Sequence, residues 1–201
     1  MARYKLILAY DGTDFAGSQR QAKRRTVQGE LESALRKLDW YGRSVTSAGR
    51  TDSGVHASGQ VVAFDIEWNH GLEKLRDALN ANLPDDIAVK SVEVADEKFH
   101  PRFDAKSRCY RYRMFCENVR DPLREKFAWR ILPNIHEEIL VDAAKIFFGQ
   151  HDFSAFGSAL REESSTTRRS TFESGRWWNT GRPWSLCRRW SSSAVRPERR
   201  N

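Results

Sequence analysis

The stretch of this 201-residue chain best suited to chemistry is Ala48-Gly-Arg-Thr-Asp-Ser-Gly-Val-His-Ala57. Gly49 and Gly54 flank Thr51-Asp52-Ser53, so the backbone can bend sharply and hold Asp52 outward. Arg50 stands two residues earlier, where its charge could keep the carboxylate ionised. An ionised, oriented carboxylate in a cleft can act as a nucleophile or a general base. The same pattern suits an Asx-turn, in which Asp52 only caps the backbone ahead of Ser-Gly. His56 reads as a turn or packing residue before it reads as a base or ligand.

Other residues bound the chemistry. Cys109, Cys116 and Cys187 are few and odd in number, which fits a reducing cytoplasm better than a disulfide scaffold. None stands at a zinc-ligand spacing from a histidine, so no metal site is expected. Two basic clusters could hold phosphates: Arg20 with Lys23, Arg24 and Arg25, and the run from Arg102 to Arg113 that includes Arg108 and Arg111. Each could equally be a solvated face. The net charge of +7 adds little, because residues 174–201 hold seven Arg and one acidic residue, Glu198. Of the chain's 34 basic and 27 acidic groups, that leaves 27 and 26 in the first 173 residues. No apolar run reaches the roughly 18 residues of a membrane span, and Met-Ala-Arg-Tyr leads into no small-residue cleavage site, so no signal peptide is expected.

The elements that must position these residues follow a recognisable order. Residues 3–10 alternate as a strand and Asp11-Gly12 turns the chain. After a polar loop, Thr26 is a plausible N-cap for a helix carrying Val27, Leu31, Ala34, Leu35 and Leu38 on one face. A short strand over 43–48 leads into the loop 49–59, and Gln60 to Ile66 is a β-branched, aromatic-rich strand. Gly71 to Leu83 is helical, with Leu72, Leu75, Leu79 and Leu83 inward, and Pro84 ends it. Ile87, Val89, Val92 and Val94 alternate as a strand with one slip. This β-α-β-β-α-β order is the split ferredoxin-like unit, with an antiparallel sheet and both helices on one face. A second unit begins near Arg108. It reads as a strand at Cys109 to Phe115, another at Phe127 to Leu132, a helix at Glu137 to Phe148 with Ile139, Leu140, Ala143 and Phe147 inward, and a strand at Thr166 to Phe172. Period 2 places Tyr110 and Tyr112 on one face, so one is core and the other functional, or both line a cleft. The fold class expected is α+β, two ferredoxin-like (RRM-like) halves with antiparallel sheets, over 1–105 and 106–173, the second incomplete.

From about Ser174 the composition changes. Four of the seven Trp lie there, Lys is absent after Lys145, and neither a 3.6 nor a 2 period is apparent. Residues 174–201 are expected to be an aberrant Arg/Trp/Ser-rich tail without order. Three origins are open: a frameshift near residues 168–176, a disordered basic tail, or an aromatic-plus-Arg arm that stacks on single-stranded RNA.

Several stretches together resemble the TruA-type tRNA pseudouridine synthases. They are Gly49-Arg-Thr-Asp-Ser-Gly-Val-His-Ala57, Leu8-Ala-Tyr-Asp-Gly-Thr-Asp-Phe-Ala-Gly17, Gln19-Arg-Gln21, Thr26-Val-Gln-Gly-Glu-Leu-Glu32, Leu79-Asn-Ala-Asn-Leu-Pro84, Phe99-His-Pro-Arg-Phe-Asp-Ala-Lys106, Arg108-Cys-Tyr-Arg-Tyr112 and Gly149-Gln-His-Asp-Phe-Ser-Ala-Phe156. They run in order over residues 3–173. The resemblance implies isomerisation of uridine to pseudouridine at positions 38–40 of the tRNA anticodon stem-loop, with no metal or organic cofactor, by a cytoplasmic homodimer. By the same match Asp52 is the catalytic carboxylate that attacks a flipped-out nucleotide. The glycosidic bond breaks, and the base turns and rejoins through C5. Attack on the ribose and attack on the base both stay open. Tyr110 matches the tyrosine that packs on the target base, and Arg50 the arginine that helps extrude it.

Two departures from the family stand out. Ser18 replaces an aromatic residue, a position outside the chemistry. The late apolar-aromatic motif that completes the second sheet beside the catalytic Asp is missing after residue 173. That departure implies exposed apolar faces, a doubtful homodimer, and an alternative function as a catalytically impaired RNA-binding remnant.

Overall fold

The computed structural model describes residues 1–132, 137–147, 149–152, 169–173 and 184–192. The chain is of the α+β class and divides into two units, Met1–Asp104 and Ala105–Asn201. No helix among the described residues is long and apolar enough to cross a membrane.

The first unit runs β1 (Ala2–Tyr10), α1 (Val27–Arg36), β2 (Thr46–Ser47), β3 (Ala57–Ile66), α2 (Leu72–Asn80) and β4 (Ile87–Val94). The four strands form one antiparallel sheet in the order β2-β3-β1-β4. Alternation in β1 sends Tyr4, Leu6, Leu8 and Tyr10 to the buried face. There they join Val62, Phe64 and Ile66 of β3, Ile87, Val89 and Val92 of β4, Val27, Leu31, Ala34 and Leu35 of α1, and Leu75 and Leu79 of α2 in one core. Thr26 caps α1 as its composition suggests, its hydroxyl accepting from Gly29 N–H at 3.3 Å. The slip in the β4 pattern is a physical irregularity. Ile7 pairs with Ser91 and Leu8 with Val89, so the register shifts between them and both Val89 and Val92 face the core.

Three details differ from the sequence pattern. Leu72 is 37% exposed, because it is the first residue of α2 and precedes the buried Leu75 and Leu79. Val94 is exposed at the end of edge strand β4. The strand before the Asp52 loop is shorter than expected and the one after it longer. β2 keeps only Thr46 and Ser47, whereas β3 starts at Ala57, where Tyr10 provides a pairing partner.

One carboxylate organises the polar side of α1. Glu32 is fully buried and accepts from Arg20 Nη1 at 2.7 Å, Gln28 Nε2 at 2.8 Å and Val45 N–H at 3.2 Å. It thereby ties the loop before α1 and the start of β2 to the helix.

The second unit comprises β5 (Arg108–Phe115), α3 (Pro122–Glu125), β6 (Trp129–Arg130), α4 (Glu137–Lys145), β7 (Gly149–Asp152), β8 (Arg169–Glu173) and β9 (Trp184–Ser192). Its sheet has the order β6-β5-β9-β8-β7. It is not purely antiparallel, as the sequence reading had it. The chain passes from β5 through α3 before forming β6, so β6 returns parallel, with Met114 opposite Trp129. Within the region read as a tail, residues 184–192 form β9, antiparallel to β5 over 184–190 and to β8 over 189–192. Of the frameshift junction, residues 168 and 174–176 lie outside the described residues, as do 177–183 and 193–201. In α4 the inward stripe is shifted. Ala144 is buried and Leu140 and Phe147 are half-buried, while Ile139 (62%), Ala143 and Ile146 (72%) are exposed.

Glu32→Ala is expected to destabilise the first unit by roughly 1–3 kcal/mol, since Val45 N–H is left unpaired indoors while Arg20 can still reach water. Urea unfolding, with the slope unchanged and the midpoint lowered, checks this.

Candidate active site

The loop around Asp52 has no regular structure of its own, and a second loop holds it. β1 ends at Tyr10 and the chain then wraps through residues 11–25 before α1. The Tyr10 hydroxyl lies 2.8 Å from Thr51 Oγ1. Burial pushes the Tyr10 phenol above its ordinary value, and the hydrogen bond to Thr51 opposes that shift. Ser18 N–H donates to Thr51 C=O at 2.9 Å, and Ser18 Oγ accepts from Thr51 N–H at 2.7 Å. On the far side of Asp52, Ser53 Oγ and Gly54 N–H both donate to Phe15 C=O, at 3.0 and 3.4 Å. Phe15 is itself buried beneath the Arg25 guanidinium, 4.2 Å from the ring centroid. Asp52 thus sits between two anchored neighbours.

The turn itself matches its sequence. Val55 N–H donates to Asp52 C=O at 3.2 Å, and Gly54 takes φ +79°, a conformation glycine adopts without strain. His56 acts as a packing residue: its Nδ1 lies 3.1 Å from Gly12 N and 3.0 Å from Asp11 Oδ1. Gly12 is pressed against the loop, since a Cβ there would fall 2.0 Å from Val55 O. Gln60 Nε2 donates to Gly49 C=O and closes the start of the loop.

Asp52 and Arg50 are both exposed, and among the described residues neither side chain has a hydrogen-bond or ion-pair partner. Arg50 therefore does not hold the carboxylate by pairing with it inside the chain, as the sequence suggested it could. Both groups face solvent, available to a ligand.

The basic loop divides in two. Arg25 makes a forked pair with Asp86 at 2.6 and 2.9 Å and reaches Glu30 at 2.9 Å, while Arg20 pairs with Glu32. Both are ion-paired within the first unit and still reach the surface. Lys23 and Arg24 stand exposed at the tip, with Lys23 at φ +69° in a tight turn closed by a bridge between Gln21 and Arg24. Neither has an ion-pair partner among the described residues. In the second unit, Tyr110 (44%) and Tyr112 (59%) are both exposed on β5, so neither is a core residue. Arg111 is exposed on that strand and Arg108 is half-buried. Positions 109–113 are exposed on both faces of β5.

Sequence reasoning missed Tyr10, Ser18 and Thr51 as parts of the site. Tyr10 looked like one more strand aromatic, and Ser18 like a neutral loop position. The partner of Ser18 lies 33 residues away, and no local pattern signals it.

Comparisons with known proteins converge. A family model described as tRNA pseudouridine synthase matches residues 6–104. A tRNA pseudouridine synthase A of Pseudothermotoga lettingae is 42% identical over 168 residues, 84% of this chain and 69% of the relative. Those of Geobacillus kaustophilus and Dictyoglomus turgidum are 45% and 42% identical, over 78% and 87% of this chain and 61% and 71% of their own lengths. The chain thus spans about two thirds of the length of the curated relatives it matches.

Gly12→Ala is expected to push the two loops apart and lower stability by about 1–3 kcal/mol. Gly59→Ala, whose Cβ would meet only Ile7 Cγ2 at 3.9 Å, is expected to be near neutral. Thermal unfolding of the two variants side by side gives the comparison.

Proposed function

This chain belongs to the tRNA pseudouridine synthase family, isomerases that act on tRNA, and from that premise we propose that it converts uridine to pseudouridine with Asp52 as the catalytic carboxylate. The observation that carries the reading is the geometry of Asp52: exposed, with no side-chain partner among the described residues, and flanked by Thr51 and Ser53, each tied to the neighbouring loop. A carboxylate held this way meets a substrate without first breaking an internal ion pair or ordering its own backbone.

The reaction breaks the C1′–N1 bond and forms a C1′–C5 bond. The C5 hydrogen leaves as a proton and N1 gains one, so no oxidant or cofactor is required. We read the target as positions 38–40 of the anticodon stem-loop, where the uridine must leave its stack at a cost of about a few kcal/mol. Arg50, exposed beside Asp52, is suited to fill the vacated space and meet the backbone. Tyr110, exposed on β5, offers a ring on which the extruded base can stack. Arg20, Lys23, Arg24, Arg25, Arg108 and Arg111 are read as contacts to phosphates, with Lys23, Arg24 and Arg111 in no ion pair among the described residues. The strand and helix order of the first unit supports reading it as a ferredoxin-like half. A homodimer in the cytoplasm completes the reading.

A second reading is favoured by one observation. β5 is exposed on both faces at 109–113, and Ile139 and Ile146 are uncovered, as in an RNA-binding remnant that lacks part of its cleft.

The test is tritium release from C5-labelled uridine in tRNA. Release by the chain, reduced at least about 10³-fold by Asp52→Ala with tRNA binding retained, is the expected result. No release with binding retained selects the remnant, and release undiminished in Asp52→Ala overturns the role of Asp52.

A further inference from the structure

The buried hydroxyl of Ser18 has no place in the chemistry, yet it touches the backbone next to Asp52. Ser18 is only 7% exposed. Its C=O accepts from Gln28 N–H of α1 at 3.0 Å, so the first turn of the helix fixes its position. Its N–H and Oγ then engage the C=O and N–H of Thr51, at 2.9 and 2.7 Å. Thr51 Oγ1 is held from the other side by Tyr10 at the end of β1. A two-way backbone contact of this kind is ladder-like, but its second bond comes from a side chain. Without that hydroxyl, Thr51 N–H loses its acceptor in a half-buried place, and an unpaired backbone donor there favours a rearranged loop. The residue that would move with it is Asp52.

We propose that Ser18 is a positioning residue for Asp52, setting the carboxylate's backbone by accepting the Thr51 N–H. The inference rests on Asp52 being the catalytic carboxylate. Ser18 is buried and Thr51 intervenes, so Ser18 meets neither base nor phosphate. Its effect falls on the rate of the bound complex and not on tRNA affinity. A methyl group at this site fills nearly the same volume and accepts nothing. Threonine keeps the acceptor, and cysteine keeps the volume with a much weaker one.

The experiment compares Ser18→Ala, Ser18→Cys and Ser18→Thr with the parent chain by two readouts. The first is amide hydrogen exchange at Thr51. The second is tritium release from C5-labelled tRNA, resolved into kcat and KM. Expected are Thr51 exchange about tenfold faster in the Ala and Cys variants, with amides of β1 and β3 unchanged, kcat about tenfold lower and KM unchanged. Ser18→Thr is expected to restore both. Thr51 exchange that stays at the parent rate overturns the proposal whatever the kinetics. So does a uniform rise across the β1 and β3 amides, which marks a purely structural role, or a loss confined to KM. If the parent chain itself releases no tritium, the isomerase reading fails, and the proposal fails with it whatever Thr51 exchange shows.

Discussion

Thr51 is the fixed point of the site. Its hydroxyl meets Tyr10 at the end of a core strand, and its backbone meets Ser18, which the first turn of α1 holds. Two elements of the hydrophobic core therefore converge on one residue of an irregular loop. Asp52 follows it directly and gains a defined origin, although its side chain has no partner among the described residues. Phe15 anchors the other flank through Ser53 and Gly54, so the loop is held at both ends while its carboxylate stays in water. This is how a segment without secondary structure acquires the rigidity that positioned chemistry demands.

The charged groups follow the same division between framework and function. Arg20, Arg25 and Arg36 pair with Glu30, Glu32 and Asp86 around α1. They shape the loop that buttresses Asp52. Arg50, Lys23 and Arg24 are exposed and have no ion-pair partner among the described residues. A count of basic residues cannot make this distinction, because free and committed cations contribute equally to net charge.

Much of this was legible in the sequence where the physics is local. The apolar face of α1, the Thr26 cap and the alternation of β1 depend on neighbours within a few residues, and each has a direct structural counterpart. The Asp52 turn was legible for the same reason. What escaped depends on distant partners. Ser18 looked inert because Thr51 is 33 residues away. The ion pairs of Arg20 and Arg25 escaped because Glu32 and Asp86 are invisible to local charge counting. β9 was not foreseen because it is a strand through pairing with β5 and β8, both distant in the chain. The α4 stripe was misplaced by one position because a helix bearing Ile139, Leu140, Ala143 and Ala144 offers two adjacent apolar faces.

Asp52→Glu tests most directly whether the position of the carboxylate matters, since it keeps the charge and moves it outward by one methylene. Tritium release from C5-labelled tRNA, measured for this variant beside the parent chain, separates position from charge. If the anchored loop sets the reacting atom, release falls by about a hundredfold with tRNA binding and unfolding midpoint unchanged. Release at the parent rate would contradict it, because a carboxylate that works equally well from a displaced position owes nothing to the clamp around Thr51.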